Sequence, residues 1–236
     1  MIKTTAARPF EVRHVQLARA LFAAIAALMV TFSPDHSAVI GLSIFSGFAM
    51  ATGLVLLAAA WLVYPAGRRW PSVVLGTLFV IAGLASGVSQ LRFVTMFFVI
   101  VIAWALATGL VETIVGARGL RQARRLKTAD AARSESRDAL SIGILTLVLG
   151  VALFLVPTQY ALEYTVEEAD ATFTLTGIII GVGVFGGYAA IVAVYLAIAG
   201  FSPRRGTGAS VPAAETSAER DAEASPTPVT DERGVA

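Results

Sequence analysis

Four groups of residues in this chain combine types and spacings that can do chemistry. Gly181-Val182-Gly183-Val184-Phe185-Gly186 spells G-x-G-x-x-G, the pattern that cradles a dinucleotide pyrophosphate where a strand turns into a helix. Glu112 is a lone carboxylate inside a long apolar run, where an ionisable group is costly and is either paired or functional. Glu163, Glu167, Glu168 and Asp170 cluster beside Tyr160 and Tyr164; such acids can bind cations or sense pH, because like charges raise one another's pKa. Seven Lys and Arg between Arg118 and Arg137 stand against Asp130, Glu135 and Asp138, a net of +4, which suits nucleic acid or an anionic membrane surface.

Each group also has a structural explanation, and in each case it is the stronger. The G-x-G-x-x-G stretch lies inside an apolar run, and no acid follows until Glu215, so the residue that would hold a ribose is missing. Gly177 with Gly181, Gly183 with Gly187 and Gly83 with Gly87 instead read as G-x-x-x-G pairs, which let helix backbones approach closely in lipid. Gly53 and Gly109 join them as expected packing positions. Glu112 sits six residues before Arg118, about 9 Å along a helix, and therefore near a membrane interface. Arg19 enters the first apolar run at a similar depth, so Glu112 is expected to pair with Arg19, or with Arg118 if the helix end bends. A proton-titrating role is the alternative, weakened by the lack of a second titrating group. The acidic cluster is explained as well by a solvated loop, and the basic stretch by contact with anionic lipid rather than nucleic acid.

Composition removes further chemistry. The chain has no Cys and only two His, His14 and His36, so thiolate nucleophiles, disulfides and His- or Cys-rich metal centres are excluded. No G-x-x-x-x-G-K-[ST], G-x-S-x-G or H-E-x-x-H occurs, leaving no motif for phosphoryl, acyl or zinc hydrolytic chemistry. No catalytic residue, cofactor or metal site is expected, and no enzyme.

The elements that position these residues are membrane spans. The chain is 56% hydrophobic and 14% charged over 236 residues, with mean hydropathy +0.76, against about a quarter charged in soluble domains. Six apolar segments, at about 16–33, 38–64, 72–89, 91–117, 139–157 and 173–201, approach or exceed the roughly 20 residues a helix needs to cross hydrocarbon. The expected fold is all-α: a polytopic membrane protein of six transmembrane helices in three repeated hairpins, 16–64, 72–117 and 139–201, each short then long. Ala51-Thr52-Gly53-Leu54-Val55 recurs as Ala107-Thr108-Gly109-Leu110-Val111, 56 positions on, and Ala20 falls on Gly76 at the same offset. Gly143 and Pro157 keep the spacing of Ala20 and Pro34, extending the repeat to a third hairpin with a longer loop, 158–172.

Orientation follows from Lys and Arg. Basic residues precede the first span, fill the turn at Arg68-Arg69 and the 118–137 loop, and follow the sixth span, whereas on the opposite side only Arg92 is basic, against Asp35, Glu163, Glu167, Glu168 and Asp170. The positive-inside rule places both termini in the cytoplasm of a plasma-membrane protein. Residues 1–15 form a short cytoplasmic segment. No small-x-small cleavage site follows the first span, which is expected to stay as a helix. Residues 202–236, rich in Pro, Ala, Ser, Thr and Glu, are expected to be a disordered cytoplasmic tail.

Trp104-Ala105-Leu106-Ala107-Thr108-Gly109-Leu110-Val111-Glu112, running on to Arg118-Gly119-Leu120-Arg121, resembles the signature of the HdeD-type short-repeat membrane family (the DUF308 group). There a W-x-L-x-x-G-x-x-E segment closes a helical hairpin and leads into basic residues. Trp104, Gly109 and Glu112 carry the match; the sixth span departs from it, with no Glu after Gly187. The resemblance implies an inner-membrane protein of repeated hairpins linked to acid tolerance. The functional expectation is thus a non-enzymatic membrane protein acting in envelope or acid-stress tolerance through helix packing or partner contacts, with homo-oligomers as one such contact. A transporter or channel for a small solute is the alternative.

Overall fold

The computed structural model describes residues 10–126, 130–166 and 171–202. Six helices are long and apolar enough to cross a membrane: α1 (Val12–Phe32), α2 (Ala38–Leu62), α3 (Trp70–Gly87), α4 (Val94–Leu126), α5 (Asp130–Leu155) and α6 (Gly177–Phe201). The chain is a multi-pass membrane protein. Between α5 and α6 stands an antiparallel hairpin of β1 (Ala161–Val166) and β2 (Ala171–Thr176). Glu167, Glu168, Asp170, Lys127 and the expected tail beyond Ser202 lie outside the described residues.

Local chemistry sets the helix ends. Before α2, Asp35 accepts hydrogen bonds from the Ser37 backbone N and Oγ, both at 2.8 Å, and Ser37 Oγ accepts from Ile40 N at 3.4 Å. This cap satisfies donors that the first helical turn leaves unpaired. Pro71 opens α3, where its missing N–H costs nothing. At α1, His14 Nδ1 accepts from Glu11 N at 3.1 Å, so one of the two histidines is used as a helix cap.

The helices close into a ring. α1 packs most extensively on α6, α2 on α3 and α4 on α5, with lesser contacts joining α1 to α2, α3 to α4 and α5 to α6. α2 also reaches α4 and α6 across the middle. The arrangement is compatible with three consecutive hairpins. Residues matched by the 56-residue offset make matching contacts: a Cβ on Gly53 would lie 2.9 Å from the Gly76 carbonyl of α3, and one on Gly109 would lie 3.0 Å from the Gly143 carbonyl of α5. Such proximity is possible only where two backbones meet without side chains.

Several boundaries differ from expectation. The first helix begins at Val12 rather than residue 16. Past residue 117, α4 runs on to Leu126, as the one-face spacing of Arg118, Arg121 and Arg125 leads one to expect, whereas α5 starts at Asp130 rather than 139. With 26 residues in α5 and 25 in α6, the short-then-long alternation fails in the third pair. The sixth helix starts at Gly177, not 173, and the described part of the expected loop 158–172 is largely strand. Leu162, Tyr164 and Val166 alternate with Glu163 and Thr165, and Thr172, Thr174 and Thr176 answer them across the ladder. Period-two alternation of β-branched and aromatic residues favours strand, and the acids mask it.

The packing expected of the glycines divides. Gly83 lies against Met50 of α2, Gly177 against the Pro157 carbonyl, and Gly181 against Phe97 and Phe98 of α4; Gly87 has only Ser46 Oγ at 3.5 Å. Gly183 and Gly187 are exposed with nothing within 4 Å, so among the described residues they pack against no other helix. Helical geometry explains the difference between the pairs: at about 100° per residue, Gly183 points to the side opposite Gly181.

Candidate functional site

At the end of the bundle that carries Arg68 and Arg69, four elements leave a cleft of about 750 Å³. The first turns of α1, the turn between α2 and α3, the late part of α4 and the early part of α5 form its walls. Gly116 and Gly119 explain how α4 and α5 stay joined alongside it. A Cβ on Gly116 would lie 2.5 Å from the Leu140 backbone N, and Gly119 lies directly against Ser136.

The floor of the cleft is an ion pair. Arg19 Nη2 donates to Glu112 Oε1 at 2.8 Å, with side-chain exposures of 14% and 5%. A carboxylate this enclosed needs a partner, because removing one member of a buried pair leaves an uncompensated charge. Arg118 lines the same cleft but forms no ion pair among the described residues. Of the two partners considered for Glu112, the geometry has Arg19.

Further out, the walls are tied by polar contacts between helices distant in sequence. Gln16 Nε2 donates to Asp138 Oδ2 at 2.8 Å, and Tyr195 Oη donates to Asp138 Oδ1 at 3.3 Å, linking α1, α5 and α6. Tyr64 Oη donates to Glu135 Oε1 at 2.9 Å, linking the end of α2 to α5. Arg69 lies 4.8 Å from the centroid of the exposed Trp61 ring, a cation–π distance.

Inward of the ion pair the interior becomes aromatic. Trp104 and Thr108 precede Glu112 by two turns and one turn of α4, on the same face. Trp104 meets Phe45 and Phe79 at 5.0 and 5.1 Å between ring centroids, and Phe48 and Tyr188 at 6.0 and 6.1 Å. Phe185 completes the cluster. Tyr188 Oη and Thr146 Oγ1 share a hydrogen bond of 2.9 Å, and Thr108 Oγ1 donates to the Trp104 carbonyl at 2.7 Å. Trp104, Gly109 and Glu112 therefore have three separate duties: core packing, contact with α5, and the floor of the cleft.

Sequence reasoning brought Glu112 and Arg19 together but missed the cleft around them. Gln16, Tyr64, Glu135 and Asp138 carried no motif; Glu135 and Asp138 sat in what read as a solvated basic loop. The usable signal was spacing: Glu135 and Asp138 are three apart, so a helix there puts both on one face. The acidic group contributes Glu163 alone to the described residues, exposed on β1 opposite Thr174. Among the described residues no group of three or more His, Cys, Asp or Glu can hold a metal. Among the described residues the cleft is lined by the cationic side chains Arg19, Arg68 and Arg118 and by the carboxylates Glu112, Glu135 and Asp138. No family model, curated protein or solved structure matches the chain.

Proposed function

We propose that this chain is a non-enzymatic plasma-membrane protein, with both termini in the cytoplasm, that acts through contacts made at its basic cleft end and does not pass solute along its own axis. The observation that carries this reading is the aromatic cluster. Phe45, Phe48, Phe79, Trp104 and Phe185 come from α2, α3, α4 and α6, and rings of different helices meet at centroid distances of 5.0–6.1 Å. Phe45 and Phe185 are fully buried. Interlocked edge-to-face rings leave little room for water. The excess of Lys and Arg at the cleft end supports the cytoplasmic orientation. A role in envelope or acid-stress tolerance draws on the resemblance of Trp104, Gly109 and Glu112 to the HdeD-type pattern.

Flux into proteoliposomes tests the proposal. Purified protein should add no leak of protons or small solutes over protein-free vesicles; a leak proportional to protein content would overturn it. Transport of a small solute is the second reading, favoured by one observation: the cleft is open at one end and floored by a buried charge pair, as in a carrier held open to one side. Saturable uptake of one solute would establish that reading.

A further inference from the structure

The charges around the cleft are unequally engaged. Among the described residues its carboxylates Glu112, Glu135 and Asp138 all have partners in the protein: Glu112 with Arg19, Glu135 with Tyr64, and Asp138 with Gln16 and Tyr195. Arg68 and Arg118 also line the cleft, are exposed, and form no ion pair among the described residues. Arg121, Arg124, Arg133 and Arg137 lie on the same end of the bundle. An anion entering the cleft thus meets two uncommitted guanidiniums at its rim while the nearby acids are already satisfied.

The remaining wall is apolar. Val12, Val15, Leu56, Val63 and Leu75 line it, and the exposed Trp70 stands at its edge. A free inorganic anion has no use for such a wall. A ligand with an anionic head and apolar chains uses both halves of the site. The cleft sits at the ends of membrane-spanning helices, at the level where headgroups lie and where Trp and Tyr collect. Its volume of about 750 Å³ falls in the range of small-molecule sites, roughly 300–1,000 Å³.

We propose that the cleft seats the anionic headgroup of a bilayer lipid, with Arg68 and Arg118 holding the phosphodiester and the Val12–Val15 wall receiving the glycerol and upper chain carbons. Arginine suits this task because its planar fork can donate two hydrogen bonds to one phosphate. The proposal rests on the reading of the cleft end as the working surface.

Native mass spectrometry of the full chain, released from mixed phosphatidylglycerol and phosphatidylcholine vesicles, tests it directly. Wild type should retain phosphatidylglycerol in preference to phosphatidylcholine. Arg68→Gln and Arg118→Gln should each weaken that retention about fivefold, since a basic residue near a membrane surface contributes about that factor; together they should remove most of it. Val12→Trp should displace the lipid with no change of charge. Arg121→Gln with Arg124→Gln, on the same end but outside the cleft, should leave retention intact. Equal losses in this control pair, or no loss in Arg68→Gln, Arg118→Gln and Val12→Trp, would overturn the lipid site in favour of general surface attraction. Displacement by inorganic phosphate at matched phosphate concentration would overturn it in favour of a soluble anion. Protein-dependent flux with lipid retention intact would remove the function proposed above and leave this site standing; lost retention without flux would do the reverse.

Discussion

Glu112 on α4 and Arg19 on α1 are 93 residues apart in the chain and 2.8 Å apart in space. No direct chain connection enforces that contact. It depends on the ring closing so that side chains of α1 and α4, on opposite sides of it, reach each other at the floor of the cleft, so the pair is a sensitive report of whether the bundle has closed.

Glu112→Ala should therefore destabilise the protein by about 3–5 kcal/mol, the usual consequence of leaving one buried charge alone. Arg19→Leu combined with Glu112→Leu should recover much of that loss, because an apolar pair needs no compensation. Thermal unfolding in detergent compares the three proteins. A double variant no more stable than Glu112→Ala would show that the pair does not act as a unit.

Gly109 and Gly143 separate close packing from mere glycine content. Valine at either position must push against backbone of the facing helix and should cost about 1–3 kcal/mol or more. Valine at Gly183 or Gly187, where nothing lies within 4 Å, should change stability by less than about 0.5 kcal/mol. The same unfolding assay reads both. Equal losses at all four positions would mean that the exposed face of α6 is packed in the native protein.

Trp104→Ala should lower stability by about 3–5 kcal/mol, the range for removing a large buried aromatic. Trp61→Ala, which empties a position 68% exposed, should be nearly neutral.

The β-hairpin offers a different kind of test. Gly177 N donates to the Tyr160 carbonyl at 2.9 Å, so the two ends of the excursion already meet. Replacing residues 161–176 with a four-residue Gly/Ser linker should leave the six-helix bundle folded, with an unfolding temperature close to wild type. A large drop would show that the hairpin packs on the bundle.

How far the sequence announces this structure depends on the element. The six spans are plain from hydropathy, because a charge in hydrocarbon is costly and its absence is easy to see. Helix pairing is another matter. α2 and α6 are apolar on every side, so no stripe marks which face meets which neighbour. The recurrence of Ala51–Val55 at Ala107–Val111 pointed to sequential hairpins, while the most extensive contacts run across the basic connections and from α6 back to α1. The G-x-x-x-G pattern marks both a packed pair, Gly177 and Gly181, and an exposed one, Gly183 and Gly187; spacing alone does not say which way a helix face turns. The cleft was illegible because its outer carboxylates, Glu135 and Asp138, gain meaning only once α5 is seen to start at Asp130.

Whether the interior is sealed between the cleft and the far side is read by cysteine accessibility, since the chain has no native Cys. Ser136→Cys in the cleft and Ala49→Cys, fully buried beside the ring cluster, are each exposed to a membrane-impermeant thiol reagent from either side of sealed vesicles. Ser136→Cys should be labelled from the side bearing Arg68 and Arg69 alone, and Ala49→Cys from neither side. Labelling of Ala49→Cys by the impermeant reagent would reveal an aqueous path along the axis and contradict a sealed interior.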